Sequence, residues 1–450
     1  MRKISFRNIF SSLAWTDVFS KDEPGIARKN MILSGIMATL ANSLAGGTFY
    51  TGFLLAMGID IVNINVIGLI TLVTGFFNMF SPMLLNRFRH RKKLLIGLRL
   101  AVLVFNNLAI TVLPFIPLSV GSKIVLLCCF VFITGSINTI VAPGFSAWHM
   151  EYMGDNDTRT KYITLQIIIN AAVSSVTMLV SGQLANFITS LGDEMEITFI
   201  VILRLISVLL VLCDIYFQTR PKEPVYHNTG TGTSLIAIFR EPFRYKMFMM
   251  TVSIAFIWNF SFYLSVSAFS AYVLDTLQLS YGMVTSVGSL NIICLLLLAP
   301  LWRRFIARYS MFGTLIVTML AQGCTYLMVL FFTPENVALL YPIMCITQYI
   351  IGGGLNVAFS NLQWIHLPVK DRTTCLAFYT FASNIFALLG QLFSTAVLAW
   401  GEGKTFSLLF IHMDSMQLLM LIEACTVFAI VLYIMLLRKK LEAPDEATEE

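Results

Sequence analysis

Twelve long apolar stretches follow one another along this chain, and polar residues collect in the short gaps between them. Crossing about 30 Å of hydrocarbon takes about 20 apolar residues in a helix. The pattern predicts spans near 31–57, 62–85, 94–117, 122–147, 163–189, 197–217, 247–275, 282–302, 310–333, 338–365, 374–400 and 416–437. The runs are continuous rather than alternating over ten-residue segments, so they predict helices and not the strands of a membrane barrel. The expected fold is an all-α membrane protein of twelve transmembrane helices.

Cations orient that array. Of the 30 Lys and Arg, 26 fall in the N-terminal segment, in alternate gaps and in the tail. The exceptions are Lys123 and Lys404 in the opposite gaps, and Arg99 and Arg204 inside spans. Cytoplasmic loops carry the excess of Lys and Arg, so both termini are expected in the cytoplasm, in an inner or plasma membrane. The net charge of +6 therefore reads as orientation, and no nucleic-acid partner is expected. Only 12% of residues are charged, against about 25% in soluble domains, which argues against a soluble enzyme. The cysteines show no CxxC and no metal spacing, and read as small buried hydrophobes. After the basic first residues comes an amphipathic stretch without a clean apolar core or small-residue cleavage site, so no cleavable leader is expected.

Between the spans the chain divides into a lead-in (1–30), a six-helix bundle (31–217), a linker (218–246), a second six-helix bundle (247–437) and a short tail (438–450). In the lead-in, Phe6, Ile9, Phe10, Leu13 and Val18 can share one helix side and lie on the membrane surface, or the segment is an unstructured tail. The linker is marked by Pro221, Pro224, Gly230 and Gly232. The bundles look like copies of each other. Span 2 ends in Ser81-Pro82 before Arg87, and span 8 in Ala299-Pro300 before Arg303. Asn42 and Asn259 sit at corresponding places in spans 1 and 7. Six is an even number, so the copies enter from one side as parallel repeats.

Twelve spans, a central cytoplasmic linker and a basic turn after span 2 together resemble the major facilitator superfamily (MFS), over nearly the whole chain. The family's loop signature, G-x-L-x-D-R-x-G-R-(R/K)-x, corresponds to SPMLLNRFRHRKKLL. Leu84 and Arg87 match, Arg91, Lys92 and Lys93 supply the basic end, and Asn86 stands where the acid is expected. Trp148, Glu151, Asp157 and Arg159 are similar to the loop pattern after span 4 in bacterial members of unassigned substrate, and Asp371-Arg372 repeats it after span 10. The resemblance implies a gating loop of Asn86, Arg87, Arg91, Arg159, Arg303, Arg304 and Arg372, although the missing acid leaves the family's charge latch incomplete. The same basic residues also read simply as orienting loops. A monomer is what the resemblance implies.

In the family, spans 1, 4, 7 and 10 line a central cavity with help from 2, 5, 8 and 11. Here those spans carry amides and aromatics but few charges. Asn42, Tyr50, Asn138, Gln166, Asn170, Trp258, Asn259, Tyr263, Asn356, Tyr379 and Asn384 are the candidate substrate-binding residues. Each taken alone also reads as a helix-to-helix hydrogen bond. Such a lining suits a neutral, amphipathic or zwitterionic small molecule, since an anion carrier would want a deep cation. The expected activity is secondary active transport by rocker-switch alternating access, energised by a gradient because no nucleotide site is visible. The coupling ion would be a proton or Na+. Neither the glycine-proline run of drug/proton antiporters nor the span 4 arginine of many proton-coupled members is present.

Charges inside spans are costly and merit individual readings. Arg99 lies about 9 Å into span 3 and is expected to snorkel. Arg204 reads as interfacial anchoring or packing. Asp214, near the end of span 6, is expected to be solvated. Glu423 is the candidate proton-coupling residue, because a carboxyl group in apolar surroundings can carry a proton. Gly352-Gly353-Gly354 lacks the Lys-Ser/Thr of a phosphate loop and predicts close helix packing or a gating bend. No catalytic residue, metal ligand or cofactor is expected. A transporter-like sensor or scaffold is the alternative, and a membrane-embedded lipid-modifying enzyme is a weaker one, since the five His are scattered singly.

Overall fold

The structure is a computed structural model, and it describes residues 19–85, 87–88, 90–153, 156–190, 193–223, 239–368, 372–408 and 411–442. Its long helices are α1 (Glu23–Ala45), α2 (Ile61–Gly75), α3 (Lys92–Val102), α4 (Val120–Met150), α5 (Asn156–Thr189), α6 (Asp193–Gln218), α7 (Lys246–Phe262), α8 (Tyr281–Tyr309), α9 (Met311–Val329), α10 (Val337–Leu362), α11 (Arg372–Gly401) and α12 (Ser415–Leu441). Among the described residues, eleven helical stretches are long and apolar enough to cross a membrane. In α8 the stretch Tyr281–Leu295 is a shorter apolar helix among the described residues, and the sequence stays apolar to Trp302 before the basic end at Arg303, Arg304 and Arg308. One element was not expected: a small hairpin, β1 (Phe406–Leu408) paired antiparallel with β2 (Ile411–Met413), precedes α12.

Local chemistry explains where the helices start. The Asp22 carboxylate accepts from the Gly25 amide at 3.1 Å, with Pro24 in the first turn, which satisfies one of the orphan donors of a helix start. The Ser20 hydroxyl donates to the same carboxylate and holds Asp22 below its usual range. Asp414 and Gln417 form a reciprocal capping box on α12. α1 thus begins within the stretch expected as lead-in; residues 1–18, with the amphipathic segment proposed there, lie outside the described residues.

Cα packing groups the chain into two compact units. Unit 1 is Met1–Phe53 with Phe77–Gly230, and unit 2 is Leu54–Phe76 with Thr231–Glu450. In unit 1, α1 packs on α6 and α5, and α3 packs on α4. Small cores join them: Met31, Ile32, Met153, Tyr162 and Leu165 in one, Leu85, Leu95, Val141 and Trp148 in another. The third span is not a uniform helix. α3 widens into a π-helical segment at Leu103–Ala109, continues through Ile110–Val112 and tightens at Leu113–Phe115, the kind of local departure often found at functional sites.

In unit 2, α9 packs on α12 and α10, α8 on α10, and α7 on α11. α2 packs here too, on α11 and on the short helix Val266–Ala271. Its seat is polar and buried: Asn65 donates to Ser394 and Thr395, each at 3.0 Å, while Gln391 donates to the Asn65 backbone and side chain and accepts from Ser267. Asn65, Gln391 and Ser394 are buried, and in a span such bonds take the place that water would fill elsewhere. Many large apolar side chains face outward, Leu436, Leu209 and Val176 among them. That is the surface a helix offers to hydrocarbon.

Candidate functional site

On unit 1, α1 and α5 meet along a polar seam. A Cβ on Gly35 would stand 3.0 Å from Gln166 Nε2 and 3.5 Å from Asn170 Oδ1, so both amides lie against α1 where it has no side chain. Ser43 and Ser174 share a hydrogen bond of 3.0 Å further along the pair. Asn42 stands two turns beyond Gly35, on the same side of α1, and is exposed, as is Asn138 on α4. Asn170 Oδ1 is buried without a hydrogen-bond partner. Tyr50 belongs to a different group: its ring lies 5.8 Å from the Arg204 guanidinium.

On unit 2, α7 and α10 present an aromatic shelf. The Trp258 indole stacks on Phe359, with centroids 5.1 Å apart and planes at 24°, and on Phe262 at 6.0 Å and 28°. Tyr263 meets Phe262 edge-on at 5.5 Å. Asn356 is exposed on α10, while Asn259 spends its amide on the Ala255 carbonyl of its own helix at 2.7 Å. Tyr379 packs with Phe256, and Asn384 lies against Gly75 of α2. The structure thus brings Gln166 and Asn170 together on unit 1. On unit 2 it groups Trp258 with Phe359 and Phe262, two rings for which the sequence carried no distinguishing signal among 36 Phe.

Two of the intramembrane charges, Asp214 and Arg99, differ from expectation, and Arg204 takes the packing role of its two readings. Asp214 is fully buried, not solvated. It forms an ion pair with Arg99 at 2.7 Å and accepts from Ser34 at 2.5 Å and Gln218 at 3.1 Å. Arg99 is therefore held by a carboxylate and does not snorkel alone. Arg204 is 2% exposed. Its guanidinium donates to Thr111 Oγ1 and the Asn106 carbonyl, each at 2.9 Å, and to the Ala45 carbonyl at 3.2 Å, and it lies 4.7 Å from the Phe53 ring. It packs within the core and does not anchor at an interface. Glu423 is 0% exposed, and neither carboxyl oxygen has a hydrogen-bond partner. The hydroxyls of Ser265 and Tyr326 face the group without completing a bond to it.

The basic loop is organised by the start of the linker. Glu223 accepts from the backbone amides of Arg91 and Lys92, the latter at 2.8 Å, so its carboxylate sits at the start of α3. Lys92 Nζ donates to the Thr219 and Pro221 carbonyls at 2.7 and 2.9 Å. Trp148 Nε1 and the Tyr152 hydroxyl both donate to the Lys222 carbonyl, at 2.9 and 2.5 Å. Burial, with the Glu23 and Glu151 carboxylates, pushes the Tyr152 phenol up. An acid absent from position 86 is thus supplied to this loop from residue 223. Arg87 and Arg304 are exposed, Arg91 is buried and Arg159 half-buried. Asn86 lies outside the described residues, as do the side chains of Arg303 and Arg372. Gly353 and Gly354 seat the Trp302 indole: a Cβ on Gly354 would stand 2.5 Å from that ring, whose Nε1 donates to the Ile350 carbonyl at 2.7 Å. Close packing explains Gly353 and Gly354, whereas a Cβ on Gly352 would meet open space. Among the described residues no three His, Cys, Asp or Glu cluster as metal ligands would.

A polytopic bundle in two units, with uncharged polar and aromatic faces, is the architecture of a membrane transporter. The sequence profile of the Major Facilitator Superfamily matches residues 30–390, and the chain belongs to that family. Solved structures of low identity share the fold. A bacterial homologue of the iron transporter ferroportin, in its inward-facing state, superposes with TM-score 0.69 at 13% identity, covering 93% of this chain and 99% of its own. A mutant of the nucleoside transporter NupG gives 0.66 at 14%, covering 91% and 99%. A D-xylose–proton symporter gives 0.63 at 12%, covering 92% and 97%. No curated protein sequence matches.

Proposed function

We propose that this protein is a secondary active transporter of the cell membrane that carries a small neutral, amphipathic or zwitterionic molecule by rocker-switch alternating access, with the bundles 31–217 and 247–437 as the moving bodies. The observation that carries the substrate class is the chemistry of the candidate faces. Gln166 and Asn170 offer amides, while Trp258, Phe359 and Phe262 offer stacked rings. Two cations within the spans of unit 1 are occupied elsewhere, Arg99 with Asp214 and Arg204 with its three oxygens. A substrate with a planar or apolar side and a few hydrogen-bonding groups suits such surfaces. The structural relatives named for nucleoside and D-xylose transport are consistent with an uncharged polar cargo. Glu423 is the candidate group for a coupling proton, and Asn86, Arg87, Arg91, Arg159, Arg303, Arg304 and Arg372 are the candidate residues of the gating loops.

The test is a thermal-shift screen of the purified protein against uncharged metabolites, followed by Trp258→Ala and Gln166→Ala. A ligand that binds the folded state raises apparent stability by about 2.7 kcal/mol at a hundredfold its Kd. A hit whose shift disappears in both variants supports the reading. Hits confined to anionic compounds, with the shift intact in both variants, overturn it.

A further inference from the structure

A groove of about 310 Å³ opens beside the first turns of α1. One wall is Glu23, Ile26, Ala27 and Asn30, the stripe of one helix face. The other is Arg220, Pro221 and Lys222, from the segment that follows α6. That segment is held from behind. The carbonyls of Thr219, Pro221 and Lys222 are taken by Lys92, Trp148 and Tyr152, and the exposed Arg220 and Lys222 side chains line the groove. We propose that this groove binds the phosphate of an anionic phospholipid.

The chemistry fits in three respects. Arg220 lies over the Tyr216 ring at 4.4 Å and hydrogen-bonds its hydroxyl, which presets the plane of a guanidinium whose forked donors suit phosphate oxygens. Lys222 bridges the groove to Glu23 at 3.1 Å, but the two side chains are 79% and 56% exposed, so the pair is weak and a phosphate can take the place of the carboxylate. Asn30 uses one amide hydrogen on the Ile26 carbonyl at 2.9 Å and keeps the other.

Position selects the source. Both walls adjoin candidate spans, one starting at Glu23 and the other ending at Gln218, so the groove lies at headgroup depth. The charge distribution predicts that this end faces the cytoplasm, where anionic lipids attract basic segments. Ile26 is half-exposed at the groove, and Tyr216 is half-exposed beneath Arg220, offering apolar contact to the glycerol and first methylenes. A free phosphate would use the cations and leave that surface bare. The inference rests on the membrane orientation and is independent of the cargo.

The experiment measures thermal stability of the full chain in neutral detergent while titrating phosphatidylglycerol, phosphatidylcholine or inorganic phosphate. Phosphatidylglycerol is expected to raise Tm where the other two do not. Arg220→Gln and Lys222→Gln should each move its midpoint to about fivefold higher lipid. Glu23→Gln removes a competitor without touching a cation and should lower the midpoint. An equal shift from phosphatidylcholine overturns the charge recognition, and an equal shift from inorganic phosphate overturns the lipid source. An unchanged midpoint in the Arg220/Lys222 double variant, or a midpoint in Glu23→Gln that stays put or rises, overturns the location.

Discussion

The two units treat buried charge in opposite ways. In unit 1, Asp214 has a cation, a hydroxyl and an amide around it, and Arg204 has three oxygens and an aromatic face. In unit 2, Glu423 is as deeply buried and its carboxyl oxygens have no hydrogen-bond partner. A buried charge is costly unless paired and hydrogen-bonded. The charges of unit 1 are therefore structural, committed to joining α1, α3 and α6. Glu423 is not committed to any such task, which leaves it available for chemistry.

Four variants break or sharpen that contrast. Asp214→Ala strands Arg99 and is expected to destabilise by about 3–5 kcal/mol, seen as lost folded yield or a large fall in Tm. Arg204→Ala leaves the Thr111, Asn106 and Ala45 oxygens without their donor and should cost about 2–3 kcal/mol. Glu423→Gln keeps the shape and removes the ionisable group; the Tm is expected to stay within about 1 kcal/mol or to rise, because no partner is abandoned. A loss as large as that of Asp214→Ala would erase the distinction between the units. The smallest effect belongs to Tyr152→Phe, which drops one half-exposed bond to the Lys222 carbonyl and should cost about 1 kcal/mol or less, read as faster tryptic cleavage after Lys222.

What was legible in the sequence follows from length and sign. Spans are written in continuous apolar runs, and their order and family could be read from those runs with the basic turn after Leu85. The run of α8 likewise stays apolar as far as Trp302 before the basic end that marks it as a repeat of span 2. Pairings were not legible. Arg99 and Asp214 lie 115 positions apart, and Asn65 and Gln391 lie 326 apart; no local pattern links them. Asp214 looked solvated because it stands near a helix end, yet Ser34 of α1 covers it. The Glu223 contact was hidden for a related reason: a missing acid at Asn86 suggested an empty role, and its replacement came from a segment read only as linker. At the candidate faces the sequence identified the amides, but whether an amide is free depends on geometry, and Asn259 proved to be tied to its own helix.

The Trp302 seat has a consequence for how this chain can vary. The indole occupies the space where side chains at Gly353 and Gly354 would stand, so neither site can drift alone. A larger residue at 354 becomes tolerable only after the ring at 302 is lost, and a smaller residue at 302 leaves a hollow that a residue at 354 could refill. Across relatives the two positions should therefore change as a pair, and a library randomising both should return large-small and small-large combinations while rejecting large-large.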